Sequence, residues 1–365
     1  MTSLGEELFG REQVAKAKRY HRPGYAAFVL NTAIGLGVLA ILAFAGPELD
    51  GWSWWAAAIV LAALAIVCPW AARLPVAYWA GYVRERQWGF STQMAAGWLG
   101  DRAKALAVAL VLTMPLMLGL VGLARIFPTW WPLAAMAGGA VVVVLISFLA
   151  PLVIEPLFNR FDKLEDEALA GELRALADRA GVPVRDVLVS DASRQTTKVN
   201  AYVSGFGRTR RVVLFDTLLD ESSPAETKVV VAHELGHRKG GHIAIGTLLA
   251  VAGMAIAVLA VWAVIGNPEP GDIPGVLLIG AALELVALPL LTAISRRWER
   301  YADRFSLELT GDAAAFESTF RNLGTANLAD LDPPRALYYT LFSHPTVPER
   351  IAFGRRWAEQ YGSAA

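Results

Sequence analysis

Six stretches of roughly twenty apolar residues leave this chain little choice of fold, because a run of that length crosses the ~30 Å hydrocarbon core of a bilayer as a helix. Within lipid no water can satisfy the backbone N–H and C=O groups, so each run must satisfy its own and be helical. The runs are Tyr25 to Ala45, about Ala56 into the 70s, Ala105 to Ile126, Trp130 to Val153, Ile243 to Ile265 and Ile273 to Ile294. Ala43-Phe44-Ala45 resembles a signal-peptidase site, but the first run exceeds the ~7–15 residues of a signal-peptide core and reads as a span. Trp52, Trp54 and Trp55, and later Trp130 and Trp131, suit the membrane–water interface. Pro69 and Pro75 predict a kink in the second span. Only 18% of residues are charged and the mean hydropathy is +0.42, a membrane composition rather than a soluble one.

Charge then sets direction. The segment before the first span carries Arg11, Lys16, Lys18, Arg19 and Arg22, and the second connection carries Arg84, Arg86, Arg102 and Lys104. The opposite turns, including Gly266 to Asp272, offer only Arg125. The Lys/Arg bias predicts that both termini and the segment from Asn159 to Gly241 are cytoplasmic, and an even number of spans agrees. The 33 basic and 33 acidic residues balance, which argues against a nucleic-acid partner. The single cysteine, Cys68, excludes an intramolecular disulfide and a cysteine-based zinc site; before Pro69 in an apolar run, it reads as a buried inert thiol.

The chemistry centres on His233-Glu234-Leu235-Gly236-His237. Two His at i and i+4 share one helical face and can reach one metal ion, with Glu234 beside them as a general base. HExxH also arises by chance on solvated helices, so its setting matters. Ser223-Pro224-Ala225-Glu226 is a capping box with Pro at the first helical position, and Gly240-Gly241 is a plausible stop. A catalytic zinc needs a third protein ligand and an open position. On a continued helix His242 would lie roughly 140° around from His237, so it reads as a non-ligand. Arg297 to Asp303 offers Glu299 as third ligand, and Asp303, four residues on, as the carboxylate that hydrogen-bonds a ligating His. A surface salt bridge among arginines is the competing reading of Glu299. The last two spans weigh against it: they form a hairpin that leaves just after His237 and returns just before Glu299. The 62 residues between the two ligands thus collapse to a short gap at the membrane face. Glu284, inside the sixth span about 22 Å from Glu299 along the helix, is an ionisable group at depth with no assigned step.

Between the fourth and fifth spans the pattern is that of a small α+β unit. Lys163 to Ala180 has helical periodicity and ends at Gly181 with Pro183 beyond. Asp186 to Val189, Thr197 to Ser204 and Arg211 to Phe215 read as strands, the last two a hairpin around Gly205-Phe206-Gly207-Arg208-Thr209. Asn200-Ala201-Tyr202 lies on a strand that is either an ordinary edge or a place where an extended substrate backbone adds to the sheet. His21 reads as interfacial, and His344 lies in a helical tail.

The expected fold class is an α-helical multi-span membrane protein with about six transmembrane helices and a small cytoplasmic α+β zinc-metallopeptidase domain. We divide it into a basic N-terminal segment (1–24), a four-span region (25–153), the cytoplasmic α+β segment with the HExxH helix (154–242), a two-span hairpin (243–294), and the third-ligand helix with a helical tail (295–365).

Taken together, the HExxH, Glu299 with Ala302-Asp303, Asn200-Ala201-Tyr202, Glu155-Pro156-Leu157-Phe158-Asn159 and Ser343-His344-Pro345 with Glu349-Arg350-Ile351 resemble the type I CAAX prenyl endopeptidases and their bacterial relatives. The similarity runs from about Glu155 to Ile351. It implies one zinc ion per chain held by His233, His237 and Glu299, with Glu234 as base and His344 stabilising the oxyanion. It also implies that Arg350 supports the site and that the Asn200 strand binds substrate backbone. The family implies a barrel of helices around a chamber; eukaryotic members have seven spans, against six counted here. The expected partners are the lipid bilayer and a peptide or protein substrate, with lipid-modified CAAX chains as one class, and the expected location is a bacterial plasma membrane. Alternative readings are a membrane-protein quality-control protease, a zinc transporter or metal sensor, and a non-catalytic scaffold. A transporter would place its metal groups near the midplane, whereas the HExxH precedes its span.

Overall fold

The computed structural model describes residues 2–205 and 207–361; Phe206, in the predicted hairpin turn, lies outside them, as do the terminal residues 1 and 362–365. Among the described residues six helices are long and apolar enough to cross a membrane, and they fall on the six predicted runs. The first, α1 (Leu4–Ala45), is longer than its apolar part. The basic segment continues the span as helix, interrupted at Gly10, whose φ of 79° suits a residue without Cβ. Next comes α2 (Trp54–Tyr78), which runs through a π-helical turn at Trp79–Val83 into the short α3 (Arg84–Gln87). The wide turn follows Pro75, where the Trp79 N–H reaches the carbonyls of both Pro75 and Val76. The region closes with α4 (Ala95–Ile126), α5 (Trp131–Leu149), a second π turn at Ala150–Ile154 and the one-turn α6 (Glu155–Phe158). Large apolar side chains such as Phe44 (87% exposed), Leu248 (67%) and Val286 (77%) point away from the protein on these helices, a surface that only lipid solvates without cost.

The α+β unit follows as β1 (Phe161–Lys163), α7 (Glu167–Arg179), β2 (Asp186–Ser190), β3 (Ala201–Ser204) and β4 (Arg211–Phe215). The strand order is β1-β2-β4-β3, with β2 and β4 parallel and the outer pairs antiparallel. The predicted hairpin is present, Ser204 facing Arg211. Two details differ from the sequence reading. Lys163 belongs to a strand and the helix starts only at Glu167, where Asp166 caps it by accepting from the Leu169 N–H. Thr197 to Asn200 is not strand. The Val199 N–H and C=O bond instead to the side-chain amide of Asn327, at 3.0 and 3.1 Å.

After α8 (Asp216–Glu221), the HExxH helix α9 (Pro224–Lys239) starts at the predicted capping box: Ser223 Oγ accepts from the Glu226 N–H, and Glu226 Oε2 accepts from the Ser223 N–H at 2.8 Å. The remaining helices are α10 (His242–Ile265), α11 (Ile273–Thr310), α12 (Ala313–Ala326), α13 (Arg335–Leu341) and α14 (Val347–Tyr361). Leu173, Leu176, Val212, Leu214, Leu218 and Leu235 form one core between sheet, α7 and α9. A second joins Val229 of α9 to Leu307, Phe316 and Ile351 of the tail helices. The sixth span and the Glu299 segment are one uninterrupted rod, α11, and Glu284 is exposed along it rather than packed.

The contact of α9 with α11 fixes the functional geometry, and Gly236 permits it. A Cβ there would stand 3.0 Å from the Ala302 Cα and 3.2 Å from the Phe305 Cβ, neither of which can swing aside. Gly236→Ala is therefore expected to force the helices apart and destabilise the fold by about 1–3 kcal/mol. A lowered thermal midpoint together with weakened metal binding would be the outcome; an unchanged protein would show that the helices tolerate a wider spacing.

Candidate metal centre

Three side chains from two helices converge on one point. His233 and His237, one turn apart on α9, turn their Nε2 atoms toward each other at 3.1 Å. Glu299 of α11 lies across from both, Oε2 at 3.2 Å from His233 Nε2 and Oε1 at 3.2 Å from His237 Nε2. The ligand atoms all fall within 4.8 Å of one another. Two atoms each ~2.0–2.1 Å from a tetrahedral ion sit roughly 3.3 Å apart, so the spacing suits a divalent cation. Glu299 is only 4% exposed, and its Oε2 has no hydrogen-bond donor although it is buried. Lone-pair atoms do not gather away from water without a proton or a cation between them.

Asp303 and Arg350 complete the wall behind His233. The Nδ1 of His233 donates to Asp303 Oδ1 at 3.0 Å, which turns its Nε2 toward the centre. Arg350 binds Asp303 through Nε, at 2.9 Å, and through a terminal nitrogen, and sits 3.7 Å from Glu299. Burial and the Arg350 charge push the His233 imidazole down, but the Asp303 carboxylate, which accepts from Nδ1, and the Glu299 carboxylate beside Nε2 outweigh them and raise it to about 9. Glu234, between the two His, is raised above the usual carboxylate range chiefly by burial, with the neighbouring imidazoles pulling the other way. A raised carboxylate takes and returns protons more readily near neutral pH.

His344 reaches the same point from the tail, Nε2 at 3.3 Å from Glu299 Oε1 and Nδ1 2.7 Å from Ser343 Oγ. A residue that the sequence reading passed over holds its loop. Arg296, one turn before Glu299 on α11, is buried and donates to the Tyr338 and Phe342 carbonyls at 3.0 and 2.6 Å. His242 is the other omission. Gly241 adopts φ 67° and breaks the helix, so the 140° expected for a continued α9 does not apply. The imidazole instead meets the outer nitrogen of His237, Nδ1 to Nδ1 at 3.0 Å, and stacks on Trp298. It is outside the three-residue cluster, but it orients a member of it. The signal was the Gly240-Gly241 pair, read only as a stop.

β3 is the last strand of the sheet, and its two edges differ. The Asn200 C=O accepts from the Phe215 N–H, so alternation turns the Tyr202 backbone toward β4 and the Ala201 and Val203 backbones to the unpaired edge. On that edge Asn200 Oδ1 accepts from the Ala201 N–H, and the Arg238 guanidinium caps the Val203 C=O. The Tyr202 hydroxyl turns away to Glu155.

Residues 163–358, more than half of the chain, match the sequence model of peptidase family M48. The chain belongs to that family. Residues 5–160 match the model described as CAAX prenyl protease N-terminal, five membrane helices, a region that holds four long apolar helices here among the described residues. Relatives include YhfN of Bacillus subtilis (strain 168), named an uncharacterized metalloprotease, 30% identical over 292 residues covering 75% of this chain and 67% of the relative. CAAX prenyl protease 1 of Saccharomyces cerevisiae is 29% identical over 310 residues, covering 76% and 67%. The crystal structure of S. mikatae Ste24p superposes with a TM-score of 0.79 at 24% identity, over 93% of this chain and 88% of that one, and shows the shared fold. The M48 chain is thus a membrane-embedded metalloendopeptidase with a multi-pass, mostly helical fold.

Two outcomes follow for the metal. Because the His233 imidazole is raised to about 9, binding must displace a proton. Apparent affinity should therefore climb with pH between about 6.5 and 9, up to roughly tenfold per unit, in a competitive chelator titration. A flat profile would contradict the arrangement. In the same assay Asp303→Ala should weaken binding by about 10–100-fold, and Glu299→Ala by more.

Proposed function

We propose that this M48 enzyme uses zinc, one ion per chain, held by His233, His237 and Glu299, and that it hydrolyses peptide bonds at the cytoplasmic face of a bacterial plasma membrane. The observation that carries the reading is the meeting of those three groups with His344 around one point, at the place where α11 leaves its apolar stretch, with Glu234 on the same turn of α9 as His233. The donor set, two imidazole nitrogens and one carboxylate, suits zinc and leaves a position open. Bound there, zinc supplies a Lewis acid that acidifies water and polarises a carbonyl.

The protein's own groups do the rest. Glu234 takes a proton from the attacking water and later gives it to the departing amine, a shuttle that its raised affinity for protons favours. His344 donates a hydrogen bond to the oxygen that becomes negative as the carbonyl turns tetrahedral. Asp303 and Arg350 keep His233 in the orientation that faces the centre. Asn200 and Ala201 receive the substrate backbone, extended along the unpaired edge, and Tyr202 fixes that strand through Glu155. The Lys/Arg distribution supports the orientation and the division into membrane, catalytic and tail segments set out from the sequence.

Prenylated CAAX-type chains are the proposed substrates, supported by relatives named CAAX prenyl proteases. Purified protein in detergent should cut a farnesylated CAAX peptide faster than the same peptide without the lipid. Equal cutting of an unfolded polypeptide would replace that substrate class with membrane-protein quality control. Glu234→Gln should slow turnover by about 10²–10⁴-fold while retaining the metal. Full activity in that variant would remove Glu234 from the mechanism.

A further inference from the structure

Glu155 enters the account above only as the partner of Tyr202 and Glu85 not at all, yet both are half-enclosed carboxylates at the ends of membrane helices, one gripping β3 and the other Lys198 just before it. Glu155 follows the π turn of the fourth span. It accepts from the Tyr202 hydroxyl at 3.4 Å and from Ser204 Oγ at 3.2 Å, the two side chains on one face of β3. Arg211, from the partner strand, bridges Glu155 to the Pro151 carbonyl within that π turn. Glu85 follows the π turn of the second span and holds the other end. It binds the Lys198 ammonium at 2.7 Å and the Tyr20 hydroxyl of α1 at 2.7 Å, and the ammonium also meets that hydroxyl at 2.9 Å. Burial alone would lower the Lys198 ammonium; the bonds to Glu85 and Tyr20 outweigh it and hold it above the usual lysine range.

The backbone between these anchors is held by β4 on one side and by single hydrogen bonds elsewhere. β3 is four residues long and paired on one side only. The three residues before Asn200 belong to no named strand; Thr197 bonds to the Gly89 and Phe90 carbonyls beside a bridge between Ser91 and Thr196, Asn327 holds Val199, and Thr217 donates to the Lys198 carbonyl. A short edge strand held on one side is readily displaced. The strand packs on α9 through Ala201 and Val203, and Arg238 of α9 holds the Val203 carbonyl; the grips on Lys198, Tyr202 and Ser204 add anchors from membrane helices to that contact.

We infer that Glu85 and Glu155 are positioning residues, which fasten the substrate-binding strand and the turn before it to the first, second and fourth spans and so align its unpaired edge with the metal centre. The inference rests on the proposed role of the Asn200-Ala201 edge. Because the edge contacts substrate and transition state alike, losing its alignment weakens binding more than it slows chemistry.

The experiment is steady-state peptide hydrolysis by the full-length enzyme in detergent, with metal content and amide hydrogen exchange measured on the same samples. Glu155→Gln and Glu85→Gln should each raise KM about tenfold, with kcat within about twofold and metal content unchanged. Exchange at residues 198–204 should quicken while the HExxH helix stays protected. Tyr202→Phe removes one hydroxyl from the Glu155 grip and should give a smaller change of the same kind. The swapped pair Glu85→Lys with Lys198→Glu should recover KM relative to either single change. Loss of metal, a fall in kcat at constant KM, or unchanged kinetics in both carboxamide variants would overturn the inference. A KM that Asn200→Ala leaves at the wild-type value would instead sink the edge-binding reading beneath it.

Discussion

A carboxylate buried against two imidazoles is the interaction on which the rest of this structure depends. Removed from water, Glu299 would be costly without a compensating cation or protons, and its environment supplies His233, His237 and Arg350 within 4 Å. Bringing these groups together requires α9 and α11 to touch at Gly236 and Ala302, and that contact requires the α10–α11 hairpin to return to the membrane face it left. The membrane is in this sense part of the candidate site's scaffold. Two apolar helices, matched to the thickness of the bilayer, bring residues 62 positions apart in the chain to hydrogen-bond distance.

The same logic extends outward through hydrogen bonds. Asp303 orients His233, and Arg350 orients Asp303 from a helix of the tail. Arg296 clamps the loop that delivers His344. His242, released from α9 by the left-handed Gly241, braces the far side of His237. Each candidate ligand is thus held by a partner from a different element, an arrangement that keeps the side chains aligned when the bilayer flexes.

Much of this was legible in the sequence because the relevant signals are local. Length and hydropathy alone fix helices in lipid, so the spans were readable; a capping box and an i, i+4 His pair are periodic patterns, so the HExxH helix was too. Glu299 became readable only once the hairpin was placed. What stayed hidden depends on conformations that single residues choose in context. A left-handed Gly241 re-aimed His242, the amide of Asn327 replaced a strand ladder at Val199, and β1 is three residues of no marked pattern. Only the folded chain brings the carboxylates Glu85 and Glu155 to Lys198 and to β3, on either side of Asn200.

The claim at the centre of this account is a metal held by two imidazoles and one carboxylate drawn from both sides of a membrane hairpin. Zinc-edge X-ray absorption on the purified, zinc-loaded protein tests it most directly. The account predicts a four-coordinate N/O shell at about 2.0–2.2 Å with the multiple-scattering pattern of two imidazoles, and loss of one oxygen scatterer in Glu299→Ala. A third imidazole contribution, or a first shell indifferent to Glu299→Ala, would contradict it.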